Sequence, residues 1–167
     1  MAWQDDIYDA FVEAKIRQVA FVPDAGHKEV IRRCLETPSM RAVSMTTEED
    51  GIALLAGAWL GGDRGAMLMQ SSGVGNCINM LSLPVLTHTP FLMLVTMRGE
   101  YAEFNPWQMP MSQATQPGLE AIGRTVRRAA MADDHLVTVA SAARMAFEAD
   151  QQIAVLMGQR LLGAKKW

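Results

Sequence analysis

AVSMTTEEDGIALLAGAWLGGDRGAMLMQSSGVGN, residues 42–76, carries the reading that decides the fold. Ala42 to Met45 is strand-like, and Thr46 with Glu49 three residues on forms a capping box that opens a helix through about Leu60. Gly61 to Gly65 is a turn, Ala66 to Gln70 a second strand, and Ser71 to Asn76 a small-residue loop leading into another helical stretch. Two strands joined through a helix make a parallel crossover unit.

The same alternation runs outward in both directions. Trp3, Ile7, Ala10, Phe11 and Ala14 recur at helical spacing, so residues 3–15 read as an amphipathic helix. Gln18 to Val22 is a buried strand closed at Pro23, and Val30, Ile31, Cys34 and Leu35 form a helical stripe stopped by Thr37-Pro38. Downstream, Pro84 blurs the end of the helix after Asn76, and Phe91 to Thr96 (FLMLVT) is an unbroken apolar strand suited to a sheet covered on both faces. Arg98 to Gln116 reads as a long polar loop, followed by a short helical piece over 118–123 and a strand at Thr125 to Ala129. Val139, Ala142, Ala143 and Ala146 mark a further helix, and Ile153 to Leu156 a last strand. The pattern predicts an α/β fold, a doubly wound parallel sheet of about six strands with helices on both faces, in one domain over residues 1–167.

Composition narrows the function classes. The chain has 167 residues, half of them hydrophobic and 20% charged, which excludes intrinsic disorder. Its formal net charge is −3, and the basic residues form only isolated pairs such as Arg32-Arg33, Arg127-Arg128 and Lys165-Lys166. No basic face for nucleic acid is expected. The start, MAWQDDIYDAF, lacks the basic and apolar regions of a signal peptide, and no apolar run approaches the ~20 residues that span a bilayer. A cytoplasmic protein without membrane contact is the expectation. Cys34 and Cys77 match neither a disulfide framework nor a metal knuckle, and His27, His88 and His135 share no ligand spacing, so no metal site is expected.

Three features invite a chemical reading, each beside a plain one. Gly73-x-Gly75 follows a strand and opens a helix, where backbone N–H groups approach a ligand closely or simply make a tight turn. Position 78 is Ile, not the third glycine of a dinucleotide fingerprint, and no Gly-Lys-Ser/Thr of a P-loop is present. Glu48-Glu49-Asp50 complements a helix dipole, but Glu48 also shares a stripe with Ile52, Leu55 and Trp59 at spacings of four, three and four. A carboxylate on a buried stripe needs a partner and is a functional candidate. Asp24, at the C-terminal end of the first strand, is either a turn residue or a ligand contact at the edge where open α/β sheets bind.

Taken together, these residues resemble the pyrimidine-binding (PYR) domain of thiamine-diphosphate enzymes, specifically the family of sulfopyruvate decarboxylase α subunits and their phosphonopyruvate decarboxylase relatives. Val22-Pro23-Asp24 resembles the family's first-strand loop. Glu48, nine residues before Gly57, resembles the family's Glu-x8-Gly pattern and sets Glu48 apart from Glu49. Ser72-Gly73-Val74-Gly75-Asn76, followed by Asn79, resembles the loop after the third strand, and Arg98-Gly99-Glu100 with Asn105-Pro106 and Gln108 to Gln116 resembles the segment after the fourth.

The resemblance implies a lyase that releases carbon dioxide from a small anionic 2-oxo acid. It implies that Glu48 hydrogen-bonds the 1′ nitrogen of the cofactor's aminopyrimidine and favours the imino tautomer that activates the thiazolium. Pro23, Ser72, Gly73, Val74, Gly75 and Asn76 would then hold the pyrimidine, and Asp24, Arg98 and Gln108 would meet substrate. The family's Gly-Asp-Gly…Asn motif for diphosphate and Mg²⁺ is absent here, since Gly62-Asp63-Arg64 does not match it. That departure implies thiamine diphosphate shared with a separate β subunit, whose diphosphate-binding (PP) domain also binds the Mg²⁺, in a hetero-oligomer. Other outcomes on the same scaffold are another 2-oxo acid, carboligation, or a non-catalytic assembly module.

Overall fold

The computed structural model describes residues 3–129 and 135–163; the Lys165-Lys166 pair lies outside them. In chain order the elements are α1 (Trp3–Glu13), β1 (Ile16–Phe21), α2 (Lys28–Glu36), β2 (Arg41–Ser44), α3 (Glu48–Leu60), β3 (Arg64–Gln70) and α4 (Ser71–Cys77). Then follow α5 (Ser82–Leu86), β4 (Phe91–Thr96), a 3₁₀ turn (Pro106–Gln108), α6 (Met109–Ala121), β5 (Thr125–Ala129), α7 (His135–Glu148), β6 (Gln152–Met157) and α8 (Gln159–Leu162).

The six strands form one sheet in the order β2-β1-β3-β4-β6-β5, with every pair parallel. The expected doubly wound sheet is what the chain builds. Side-chain alternation along the strands feeds two cores. On one face Val19, Leu68, Leu92 and Val155 meet Ile7 and Phe11 of α1, Val30 and Cys34 of α2, and Val139 and Phe147 of α7. On the other, Met67, Met69, Met93 and Val95 meet Ile52 and Leu55 of α3, Val74 of α4 and Leu119 of α6. All six residues of β4 are buried, as an apolar central strand demands. Methionine fills much of the second core, where its flexible thioether adapts to irregular gaps. Both cysteines are free and buried, and desolvation pushes each thiol up to about 12. Among the described residues, no helix is long and apolar enough to cross a membrane.

Three local expectations are corrected. The N-cap of α3 is Thr47, not Thr46, and its side chain makes no capping hydrogen bond. The small-residue stretch 71–76 is helical from Ser71, because Glu48 of α3 and Met111 of α6 pack against Gly73 and Gly75 so closely that small side chains suit a helix there. The loop read over 98–116 ends at Asn105, and α6 incorporates Pro110 and Pro117. Pro110 sits in the first turn, where its missing N–H costs nothing. Pro117 is exposed, while Met111, Thr115 and Leu119 form the inward stripe at a spacing of four; Thr115 and Leu119 are fully buried. The hydrogen bond that Pro117 forfeits therefore falls on the solvent side, and burial of the other side decides the helix.

What remains irregular after β4 is tied down by one carboxylate. Glu103, its side chain only 2% exposed, accepts from Arg98 Nε and NH2 at 2.7 Å each. It also accepts from the N–H groups of Gly99 (3.2 Å) and Asn105 (3.0 Å) and from Gln159 Nε2 (3.0 Å). Gln159 in turn accepts the Glu100 and Tyr101 N–H groups on its Oε1, at 2.8 and 2.9 Å. The Arg98 guanidinium, outweighing the desolvation of the carboxyl, brings the Glu103 pKa down to about 2.

Glu103→Gln removes one charge of a buried pair, so we expect a loss of about 3 kcal/mol, or roughly 6–12 °C in Tm, by calorimetry. Because the folded-state pKa is depressed, the stabilisation from Glu103 is complete above the unfolded value near 4.5 and drains away as pH falls towards about 2. The variant should show a shallower loss of stability across that window in acid titrations of the melting temperature; an identical slope would remove Glu103 from this role.

Candidate functional site

The order of the strands sets the place of the site. β1 leads to β2 on one side and the chain then returns to β3 on the other, so the connections diverge between β1 and β3. In open α/β sheets a crevice forms beyond the strand ends at such a point. Asp24 follows β1 there, and α4 springs from the end of β3 there.

Glu48 is the first residue of α3 and only 7% exposed, whereas Glu49 and Asp50 beside it are exposed. The stripe shared with Ile52 and Leu55, both buried, carries the carboxylate inward. It comes to rest against α4: a Cβ at Gly73 would lie 2.1 Å from Glu48 Oε1 and 2.4 Å from its Cδ, so only glycine fits. Asn76 Nδ2 donates to Glu48 Oε2 at 3.3 Å. Oε1 accepts no hydrogen bond from the described residues, which leaves it the open valence of a nearly buried carboxylate. That oxygen can share a proton with a ring nitrogen of a ligand, an interaction that strengthens where water is excluded.

The other residues of 71–76 divide by the direction they face. Val74 belongs to the core, and Gly75 faces α6, where a Cβ would meet Met111 Sδ at 2.7 Å. Ser72 donates to Gln70 Oε1 at 2.8 Å, and Gln70 Nε2 donates to Asp24 Oδ1 at 3.1 Å. Thr96 Oγ1 donates to Asp24 Oδ2 at 2.6 Å. Asp24 thereby connects to the segment that carries Gly73 and Asn76. Asp24, Thr96, Arg98 and Gln159 share a hollow of about 200 Å³ beyond the ends of β1, β4 and β6. Pro23 lies outside it, beside a shallower hollow with Phe21, Asp24 and Lys28.

His27, wholly buried at the start of α2, donates from Nε2 to the Leu94 carbonyl at 3.1 Å, and its Nδ1 has no partner. Desolvation holds its pKa below the usual value, against the pull of Asp24, so it sits neutral beside the site.

Arg98 and Gln108 stand apart from Glu48. Arg98 is 8% exposed and its Nε and NH2 are taken by Glu103, although the residue lines the Asp24 hollow. Gln108 lies on the 3₁₀ turn with its carbonyl over Gly99, whose φ of +77° and lack of a side chain allow the approach. Its Oε1 is buried without a hydrogen-bond partner. Sequence reading missed Gln70, Thr96, Glu103 and Gln159. For the first two a signal existed: each is the single polar residue closing an apolar strand run, MLMQ and FLMLVT. Among the described residues, no three His, Cys, Asp or Glu side chains gather as a metal site.

No protein-family model matches the chain. In structure it is similar to 2-oxoglutarate:ferredoxin oxidoreductase from Magnetococcus marinus, at TM-score 0.80 and 19% identity, covering 97% of this chain and 29% of that one. It is also similar to a chain from Mycobacterium smegmatis assigned to the thiamin diphosphate-dependent enzymes, at TM-score 0.76 and 16% identity, covering 100% of this chain and 34% of that one. These establish the fold. In sequence the chain is 30% identical over 152 residues to sulfopyruvate decarboxylase subunit alpha of Methanococcus maripaludis, covering 90% of this chain and 91% of that one. It is 38% identical over 110 residues to the same subunit of Methanothermobacter thermautotrophicus, covering 65% of this chain and 67% of that one. A phosphonopyruvate decarboxylase of Streptomyces viridochromogenes is 37% identical over 89 residues, 22% of its length. With a buried glutamate set against a small-residue helix at the switch point, and with likeness running through nine-tenths of a relative, the chain belongs to the family of sulfopyruvate decarboxylase α subunits.

Proposed function

We propose that residues 1–167 form one PYR domain, the α subunit of a cytoplasmic, heteromeric, thiamine-diphosphate-dependent lyase that decarboxylates a small anionic 2-oxo acid of the sulfopyruvate or phosphonopyruvate type. The observation that carries the proposal is the Glu48 carboxylate, buried, held on Oε2 by Asn76 and set against the bare Cα of Gly73. Thiamine diphosphate, when bound, supplies the nucleophilic carbon and the electron sink for loss of carbon dioxide.

This chain's part is to position and to hold a proton. Glu48 Oε1 would carry the proton shared with the bare pyrimidine N1′ and donate it to that ring nitrogen, while Asn76, donating to Oε2, keeps the carboxyl group from rotating away. Low dielectric around the pair strengthens that bond. Ser72 and the backbone at Gly73 would flank the ring, while Asp24 and Arg98, which line one hollow, would face the substrate. Gln108, with a buried unpartnered Oε1, would act at the rim of the same corner. We assign the diphosphate and Mg²⁺ to a separate β subunit bearing the Gly-Asp-Gly…Asn motif, which residues 1–167 do not contain. The relatives' designation as subunit alpha supports such a partner.

In the complex with its β partner, Glu48→Gln keeps shape but cannot hold the proton, so kcat should fall about 10²–10³-fold with Tm nearly unchanged. Glu49→Gln, exposed on the same turn, is the control and should retain turnover; equal activities would defeat the assignment. Gly73→Ala should depress activity comparably and lower Tm as well, since its methyl needs the space that Glu48 fills. For the isolated chain, calorimetry should detect at most weak, Mg²⁺-independent binding of thiamine diphosphate; tight, Mg²⁺-dependent binding would contradict the shared site.

A further inference from the structure

β3 and β4 end side by side, and their last residues, Gln70 and Thr96, are partners in the parallel register. Both side chains turn to one carboxylate. Thr96 Oγ1 donates to Asp24 Oδ2 (2.6 Å) and Gln70 Nε2 to Asp24 Oδ1 (3.1 Å), so each oxygen has its own donor. The far end of the same amide, Gln70 Oε1, accepts from Ser72 Oγ (2.8 Å). A primary amide donates at one end and accepts at the other, and here both ends are engaged.

Space has been cleared for this arrangement. A Cβ on Gly26 would stand 2.7 Å from Thr96 Cγ2 and 3.0 Å from Asp24 Oδ2, pushing donor and acceptor apart. The charged and titratable groups nearby do not compete for Asp24. His27 is neutral and bonded to Leu94, Arg98 is bonded to Glu103, and Lys28 lines the neighbouring shallow hollow with no ion pair among the described residues. Neutral donors alone hydrogen-bond the carboxylate, which shares its hollow with Arg98.

We propose that Gln70 and Thr96 are positioning residues. They fix the direction of the Asp24 carboxylate in the substrate hollow and, through Ser72, tie it to the segment that faces Glu48. This rests on the reading of the crevice as a PYR half-site. A carboxylate with free rotation samples many directions; one clamped at both oxygens meets a substrate in a single pose, and misplacement by about 1 Å at a reacting centre costs as much as ~10²-fold in rate.

Thr96→Val is isosteric and removes only the hydroxyl, Thr96→Ser retains it, and Gln70→Met removes both ends of the bridge. In the complex with the β partner, Thr96→Val and Gln70→Met should lower kcat about 10–100-fold, with thiamine diphosphate affinity within about twofold of wild type and Thr96→Ser restoring most of the rate. Three results would overturn the proposal: kcat within about twofold for Thr96→Val, a loss that serine does not restore, or a loss matched by weaker cofactor binding. Should the wild-type complex turn over no 2-oxo acid, the functional reading fails, and the bridge is then read from melting temperatures of the full chain. Ser72→Ala and Thr96→Val should be non-additive with Gln70 present and additive in Gln70→Met; additivity in both backgrounds would overturn the bridge itself.

Discussion

The register of β3 on β4 is the constraint from which the site follows. It brings Gln70 level with Thr96 at the edge of the sheet, and both then reach Asp24 from the neighbouring β1. A slip of one residue would turn Thr96 and Gln70 to the opposite faces and bring core methionines to the edge. Met67, Met69 and Met93 fit the core against α3, α4 and α6, and a slip would force them into the differently shaped core on the other face, so packing enforces the polar strand ends. Stability and site geometry are in that sense one requirement.

Glu48 shows how a helix can deliver a charge into an apolar setting. Its neighbours Ile52 and Leu55 draw the α3 stripe against the sheet, and the carboxylate at the start of the stripe follows. The cost of desolvation is offset by the Asn76 amide and by the proximity of two helix starts, α3 and α4, whose N–H groups favour negative charge. Gly73 supplies room and no side chain, so the carboxylate lies against backbone. The neighbouring Glu49 meets none of these conditions and stays in water.

Opposite this stands the corner after β4, where Arg98 and Glu103 compensate each other within the protein. A guanidinium engaged at two nitrogens by a buried carboxylate is rigid and locally neutral, and Gln159 extends the same network to the end of β6. The wall of the hollow that Asp24, Thr96, Arg98 and Gln159 share is therefore held by hydrogen bonds at both Asp24 and Arg98.

The amino-acid sequence by itself determined the fold class. Alternating periods of two and 3.6, the apolar run Phe91–Thr96 and the small-residue stretch after β3 are local properties, and each strand formed within a few residues of its expected bounds. Glu48 was legible for the same reason, since its stripe is a matter of helical spacing. The helix α6 was not, because two prolines and a polar composition over 109–121 argue locally for a loop, and only burial of Thr115 and Leu119 reverses that balance. Glu103, Gln70 and Thr96 acquired roles only through partners as far as 72 positions away in the chain. Hydrogen bonds between residues so distant leave no period in a sequence; they exist only once the sheet has set its strand order and register.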